Sequence, residues 1–442
     1  MRKINLTLAL LTLFLFQNRF FAAAETNLPS VTAARISGPV TLDGRLQEPF
    51  WEKIPEASSF NILGRRTVPA LKTSFKVAYT DQFILFGVFC ADSEMDKLRT
   101  VAEYRDDSQV CSDDSIELFL QPDNGYYYQF AVNAAAFIYD GRRPSRLDIS
   151  AKEMKDGLLW DGAWEAMVFH GPDFWSAELR IPFATLDLAN AGDAPWRINV
   201  GRTESRLGYS SWAPVQKGFH DLAAYGTLLE LKPKLENHAL DFSQLCFPEL
   251  LIGSNRFSLS MPTLVANDSF QVRQSLRVWE PGPLPQRQLL PQEAQSENGV
   301  LNLSLEINAH QPEKLQELIL EISDSSGKTQ GLLTHLFRPP KLFMASLPWS
   351  SFSSRDKTLP VHCILRASPQ SAKALLHFQL YKVGSTLPLL DKRVKLRQAG
   401  ESTQYIPLRN LPEHGHYQLK WTLEFQGLEK PEKGENEFFF LK

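Results

Sequence analysis

The chain has 442 residues, too many for one ordinary core, and roughly one domain per 150 residues sets the expectation at two or three domains. Lys and Arg (47) nearly balance Asp and Glu (50), giving a net charge of −3 with no basic block, so the electrostatic footprint of a nucleic-acid binder is missing. None of the four cysteines stands in a Cys-x-x-Cys or Cys/His cluster, which leaves zinc and redox chemistry without support.

In chain order, Arg2 and Lys3 precede an apolar run over residues 4–16 and the small residues Ala22, Ala23 and Ala24. This is the layout of a secretory signal peptide over residues 1–24, and the run is shorter than the ~20 residues a membrane span needs. The expectation is a mature protein from Glu25 onward, secreted or periplasmic, with no membrane insertion after cleavage. In such a compartment Cys90, Cys111, Cys246 and Cys363 allow three complete pairings. A Cys90–Cys111 bond and two buried free thiols both fit.

Residues 41–51 set an Asp43-Gly44 turn before Leu46, Phe50 and Trp51, which read as an apolar plug at the end of a sheet. Apolar strands at 74–79 and 83–90 follow. The clearest hairpin spans 111–133, two alternating strands joined by Pro122-Asp123-Asn124-Gly125. Ile116, Leu118, Leu120, Phe130 and Val132 fall on one face; Glu117, Phe119, Gln129, Ala131 and Asn133 fall on the other. Glu117, Gln129 and Asn133 on rigid strands hold donors and acceptors at fixed spacing, which suits a ligand covered in hydroxyl groups. An ordinary solvated sheet face has the same pattern.

Further strands are expected at 163–170, 175–181, 196–202 and 225–231, with a loop or short helix in 142–162. Many short strands without a long amphipathic helix between them predict an all-β chain built on an antiparallel β-sandwich over 25–232. Lys232-Pro233-Lys234 reads as a linker. Beyond it, alternating strands and proline breaks predict two immunoglobulin-like β-sandwiches, at 233–345 and 346–442.

Asp43-Gly44 with Pro49-Phe50-Trp51, Tyr79-Thr80-Asp81, Asp114 to Phe119, Tyr128 to Asn133, Glu178 to Phe183 and Tyr225-Gly226 occur in an order and spacing that resemble carbohydrate-binding module family 9 over residues 35–232. The resemblance implies a sandwich that binds poly- or oligosaccharides, is often attached to secreted glycan-degrading enzymes, requires no cofactor and sometimes carries structural calcium. It also implies a sugar clamped between two rings while polar groups bond its hydroxyls. The clamp positions fall on Cys111 and Phe219, and the polar positions on Glu117 and Asn133, with Gln129 beside them. Cys111 is no ring, and the arginine expected two residues before Asn133 is Ala131. Losing a ring and a charge-assisted bond predicts weak sugar binding. Tyr104, Phe119, Tyr139 or Trp160 are the candidates for a substitute ring.

Glycosidases need two carboxylates across a cleft, and Asp113, Asp114 and Glu117 invite the comparison. Asp113 and Asp114 at a strand entrance suit a turn or a calcium ion instead, and neither a Gly-x-Ser-x-Gly elbow nor a His-Glu-x-x-His pair occurs. His220 reads as a loop or ligand-edge residue. The leading reading is a secreted, non-catalytic carbohydrate-binding protein accessory to polysaccharide breakdown, partnered with glycan and with a glycan-degrading enzyme. A structural or cell-surface sandwich with a degenerate sugar site comes second, and a glycoside hydrolase third.

Overall fold

The computed structural model describes residues 28–146, 148–265, 268–290, 294–371, 373–409, 411–426, 428 and 430–442. The leader expected at 1–24 lies outside them. Among the described residues no helix is long and apolar enough to cross a membrane.

The chain is all-β. Its N-terminal sandwich packs an eight-stranded front sheet on a five-stranded back sheet. The front sheet is centred on Ser115–Gln121, which pairs with Tyr126–Asn133 on one side and Arg197–Glu204 on the other; Ile138–Pro144 follows Tyr126–Asn133. In the back sheet Phe83–Ala91 lies between Thr73–Tyr79 and Phe174–Pro182. Alternation explains the layering: Ile116, Leu118, Leu120, Phe130 and Val132 point inward and meet Phe75, Val77, Phe86, Val88 and Trp175 in one core. The sandwich is not wholly antiparallel. Ser30–Thr32 pairs parallel with the front sheet and Ala34–Arg35 parallel with the back sheet, so the N-terminal segment straps one edge of both.

Trp51 does not close a sheet end. With Ile54, Ala78 and Leu85 it forms a separate cluster on the outer side of the back sheet, where its ring lies against Gly87 and leaves no room for a Cβ there. The 142–162 stretch splits: Ile138–Pro144 is a strand of the front sheet, and Ala151–Leu158 is a helix started by a capping box of Ser150 and Glu153.

The second sandwich is one seven-stranded sheet folded over its own core. Gly253–Pro262 and Val300–Ala309 face Ser269–Val278, Gln316–Asp324 and Thr329–Phe337, and Ala294–Glu297 pairs with both layers. The third packs a three-stranded sheet, which begins with Phe343–Ser346, on a five-stranded one. Residue 345 therefore lies inside a strand of the third sandwich. Among the described residues Cys90, Cys111, Cys246 and Cys363 are all free, and Cys90 and Cys363 are buried thiols that burial pushes up to about 12.

The first two sandwiches share an interface. Arg105, fully buried, reaches Asp140 of the first at 2.6 Å and Glu317 of the second at 2.7 Å. Around it, Ala163 and Ala184 of the first sandwich pack on Ile319 and Leu332 of the second.

Candidate functional site

The register sets Ser115 opposite Asn133, Glu117 opposite Ala131 and Phe119 opposite Gln129. It continues outward with Ala131 opposite Tyr139 and Tyr127 opposite Arg143, and on the other side with Glu117 opposite Gly201. Side chains of paired residues share a face, so all of these lie on the outer side of the front sheet.

That face is covered rather than open. Phe219 lies across Gly201, where a Cβ would sit 2.7 Å from the ring, and Tyr225 fixes this loop by donating its hydroxyl to the Phe219 carbonyl at 2.8 Å. Phe119, although on the polar side, is buried beneath Phe219, His220 and Tyr225. Glu117 is 5 % exposed. Its carboxylate accepts from the Gln129 amide at 2.7 Å, and the Gln129 oxygen accepts from Arg143 at 2.9 Å. Burial raises the Glu117 pKa to about 7, against the opposing pull of Gln129, Cys111 and Arg143. His220 Nδ1 lies 3.2 Å from the Tyr127 hydroxyl, and burial with Arg143 nearby holds its pKa down at about 4. The ring is therefore neutral.

Asn133 does not offer its amide to a ligand. It has no exposed surface, donates to Asp113 at 2.8 Å and accepts from the backbone N–H groups of Ala135 and Phe137. Asp113 and Asp114 are likewise committed: Asp113 accepts from Val101 and Ala102, and Asp114 from Arg99 and Ser205. These three side chains hold the loop that carries Cys111. The Cys111 thiol, half-buried beside Gln129 at 3.7 Å, is pushed up by burial and by Glu117.

Of the rings considered as substitutes, Phe119 is core. Trp160 packs on Tyr128 and Phe130, whose side chains face the core, and Tyr104 stacks under Arg338 of the second sandwich. Tyr139 shares the face with Glu117. The exposed ring that sequence reasoning missed is Tyr209, opposite Thr203 on the same face, 51 % exposed and edge-on to Phe219. Arg143 was missed as well. It supplies a guanidinium to the face from the strand next to Ala131, and continuing the period of two through Tyr139 and Gly141 would have found it.

One carboxylate trio among the described residues, Asp43, Glu48 and Glu178, comes close enough to share a cation. Glu178 already accepts from Trp51 Nε1 and from the Asp43 and Gly44 backbone, each at 2.9 Å. A calcium ion takes six to eight oxygens, so this set fits the turn it anchors better than calcium.

No protein-family model matches the chain, and no curated protein matches it. In structure, its N-terminal half is similar to a Bacteroides uniformis protein whose carbohydrate-binding role is itself only proposed (17 % identity, 46 % of this chain, 98 % of that one, TM-score 0.35). It is also similar to a family 9 carbohydrate-binding module of Caldicellulosiruptor kristjanssonii solved with glucose (13 %, 47 % and 97 %, TM-score 0.32). Another neighbour is the FN1–FN3 segment of chicken CNTN1 (9 %, 45 % and 65 %, TM-score 0.19).

Proposed function

We propose that the chain is a secreted, non-catalytic glycan-binding protein that engages saccharide on the outer face of its front sheet and assists polysaccharide breakdown in company with a degrading enzyme. One observation carries the reading. The bonded series Glu117, Gln129 and Arg143 sets an acceptor, an amide and a guanidinium in one patch, each more than nine-tenths buried beside the Phe219 loop, and an exposed ring, Tyr209, stands at its margin. Hydroxyl groups need donors and acceptors, and the apolar face of a pyranose needs a ring to lie on. The glucose bound to the Caldicellulosiruptor module is in keeping with this chemistry. Secretion rests on the leader pattern alone.

The test is a glycan array followed by calorimetric titration of the full chain and of Arg143→Ala. A hydrogen bond from a charged donor is worth about 1.5–3 kcal/mol, so the variant should bind roughly ten- to a hundredfold more weakly. Unchanged affinity, or an array with no hit, would sink the proposal. The competing reading, a sandwich whose sugar site has decayed, draws on Cys111 at a clamp position and on the internal bonding of Asn133. A blank array combined with normal stability would favour it.

A further inference from the structure

The five-stranded sheet of the third sandwich turns one face to solvent. Ala374, Leu396 and Phe425, paired across three of its strands, belong to the core, so the next paired set, Leu375, Lys395 and Glu424, lies on the outer side. Lys373, Arg397 and Gln426 continue that side just past the strand ends, two positions from Leu375, Lys395 and Glu424. Together they line a depression of about 790 Å³, inside the ~300–1,000 Å³ range of small-molecule sites.

Three of these side chains are cations, and Glu424 is the single carboxylate of the lining. Arg393, outward like Lys395 and opposite His377, extends the set, so that Arg393, Lys395 and Arg397 form an exposed row about 14 Å long. The ion pairs of this sandwich are made elsewhere: His377 with Asp391 at 2.8 Å, His416 with Glu437 at 3.3 Å, and Lys382 with Glu413. Among the described residues Lys373, Arg393, Lys395 and Arg397 take part in none. Cations held side by side repel one another, and the chain as a whole carries −3, so a basic composition does not account for the cluster.

What the row lacks is an anion. Guanidinium and ammonium groups bond carboxylate or sulfate oxygens, while Glu424 and Gln426 set an acceptor and an amide among them that suit hydroxyls. A ligand carrying both charges and hydroxyls at short intervals satisfies both sets. The one ring in the lining, Phe425, is buried in the core, so the depression offers no platform on which a nucleobase can stack. We propose that this depression binds an acidic oligosaccharide, its charges carboxylate or sulfate, at a site separate from the outer face of the first sandwich.

The experiment titrates the full chain with hexagalacturonate and with a sulfated dextran oligomer, each against its neutral counterpart, methyl-esterified hexagalacturonate and dextran. At least one acidic sugar should bind, at least tenfold more tightly than its neutral counterpart and less tightly as salt is raised. The double change Lys395→Ala with Arg397→Ala, at two exposed positions, should weaken that binding at least tenfold and leave the melting temperature unchanged. Arg143→Ala, on the first sandwich, should not affect it, which separates this site from the outer face. The proposal is overturned if neither acidic sugar binds, if the double variant binds like wild type, if the neutral sugars bind equally well, or if the loss falls on Arg143→Ala instead. Tighter binding of single-stranded DNA or of phosphatidylglycerol vesicles than of either acidic sugar also overturns it, because the patch would then read charge alone.

Discussion

The strand Ile138–Pro144 carries two buried polar clusters on its opposite faces, and they are built differently. Inward, Asp140 accepts from Arg105, from Trp164 Nε1 at 2.8 Å and from the Gly162 N–H at 2.9 Å, while Glu317 accepts from both Arg105 and Arg277. Outward, Arg143 bonds Gln129, which bonds Glu117, and that carboxylate has no cation against it. In the inner cluster burial alone would lower the Arg105 pKa, but Asp140, Asp106 and Glu317 raise it instead, while burial raises those of Asp106 and Asp140. The outer one holds Glu117 through the neutral partners Gln129 and Cys111, with Arg143 one bond removed. The charged network joins two sandwiches, whereas the one around Glu117 lies within a single sheet face.

The widest break in this contrast should come from the inner cluster. Arg105→Ala leaves Asp140 and Glu317 buried without their cation, and removing one partner of a buried ion pair typically costs about 3–5 kcal/mol. Chemical denaturation should show that loss, with the first two sandwiches losing their common transition. A loss under about 1 kcal/mol would mean that the joint is not held by charge.

Next is the pH dependence of the outer cluster. The Glu117 pKa is raised from 4.5 to about 7 in the folded protein, so the folded state holds this proton more tightly than the unfolded chain. The stability it contributes is full below pH ~4.5 and is lost as pH rises through ~7, by at most about 3 kcal/mol. Glu117→Gln has no proton to lose. Stability curves of the two proteins should therefore diverge between pH 4.5 and 8, with wild type falling relative to the variant, and taking the difference removes every other titration. Parallel curves would mean that solvent reaches the carboxylate freely.

Asn133→Ala ranks third. It strips Asp113 of a donor and the Ala135 and Phe137 N–H groups of their acceptor, which predicts about 1–3 kcal/mol of destabilisation by thermal melt. A silent variant would return Asn133 to the list of candidate ligand-binding residues.

Much of this architecture was legible in the sequence because a strict period of two leaves one register. The inward set of the central hairpin is readable from Ile116 to Val132, and Val300–Ala309 alternates buried and exposed along its whole length. What alternation cannot show is whether a polar face is wet. Glu117, Gln129 and Asn133 sit on the polar side, yet the loop around Phe219 and the loop carrying Cys111 close over them, and loop closure has no periodic signature. Arg143 escaped because Gly141 and a charged continuation make the end of its strand look like a loop.

The smallest expected effect tests whether the outer face still has room for the clamp. The resemblance to family 9 modules implies a ring at Cys111, which is half-buried beside Gln129. Restoring an arginine at Ala131 is not a usable companion change, since Ala131 is fully buried against Ala102 and Val110 and a long side chain there would break that packing. Arg143 already supplies the guanidinium from the next strand, so Cys111→Trp alone is the informative substitution. An added stacking surface is worth about 0.5–1.5 kcal/mol, a few-fold to roughly tenfold in affinity for a glucan end. Calorimetry with cellotriose on the full chain reads this directly. A gain that disappears when Arg143→Ala is added would place ring and guanidinium on one ligand, whereas a gain independent of Arg143 would put the sugar on the Cys111 side of the face alone.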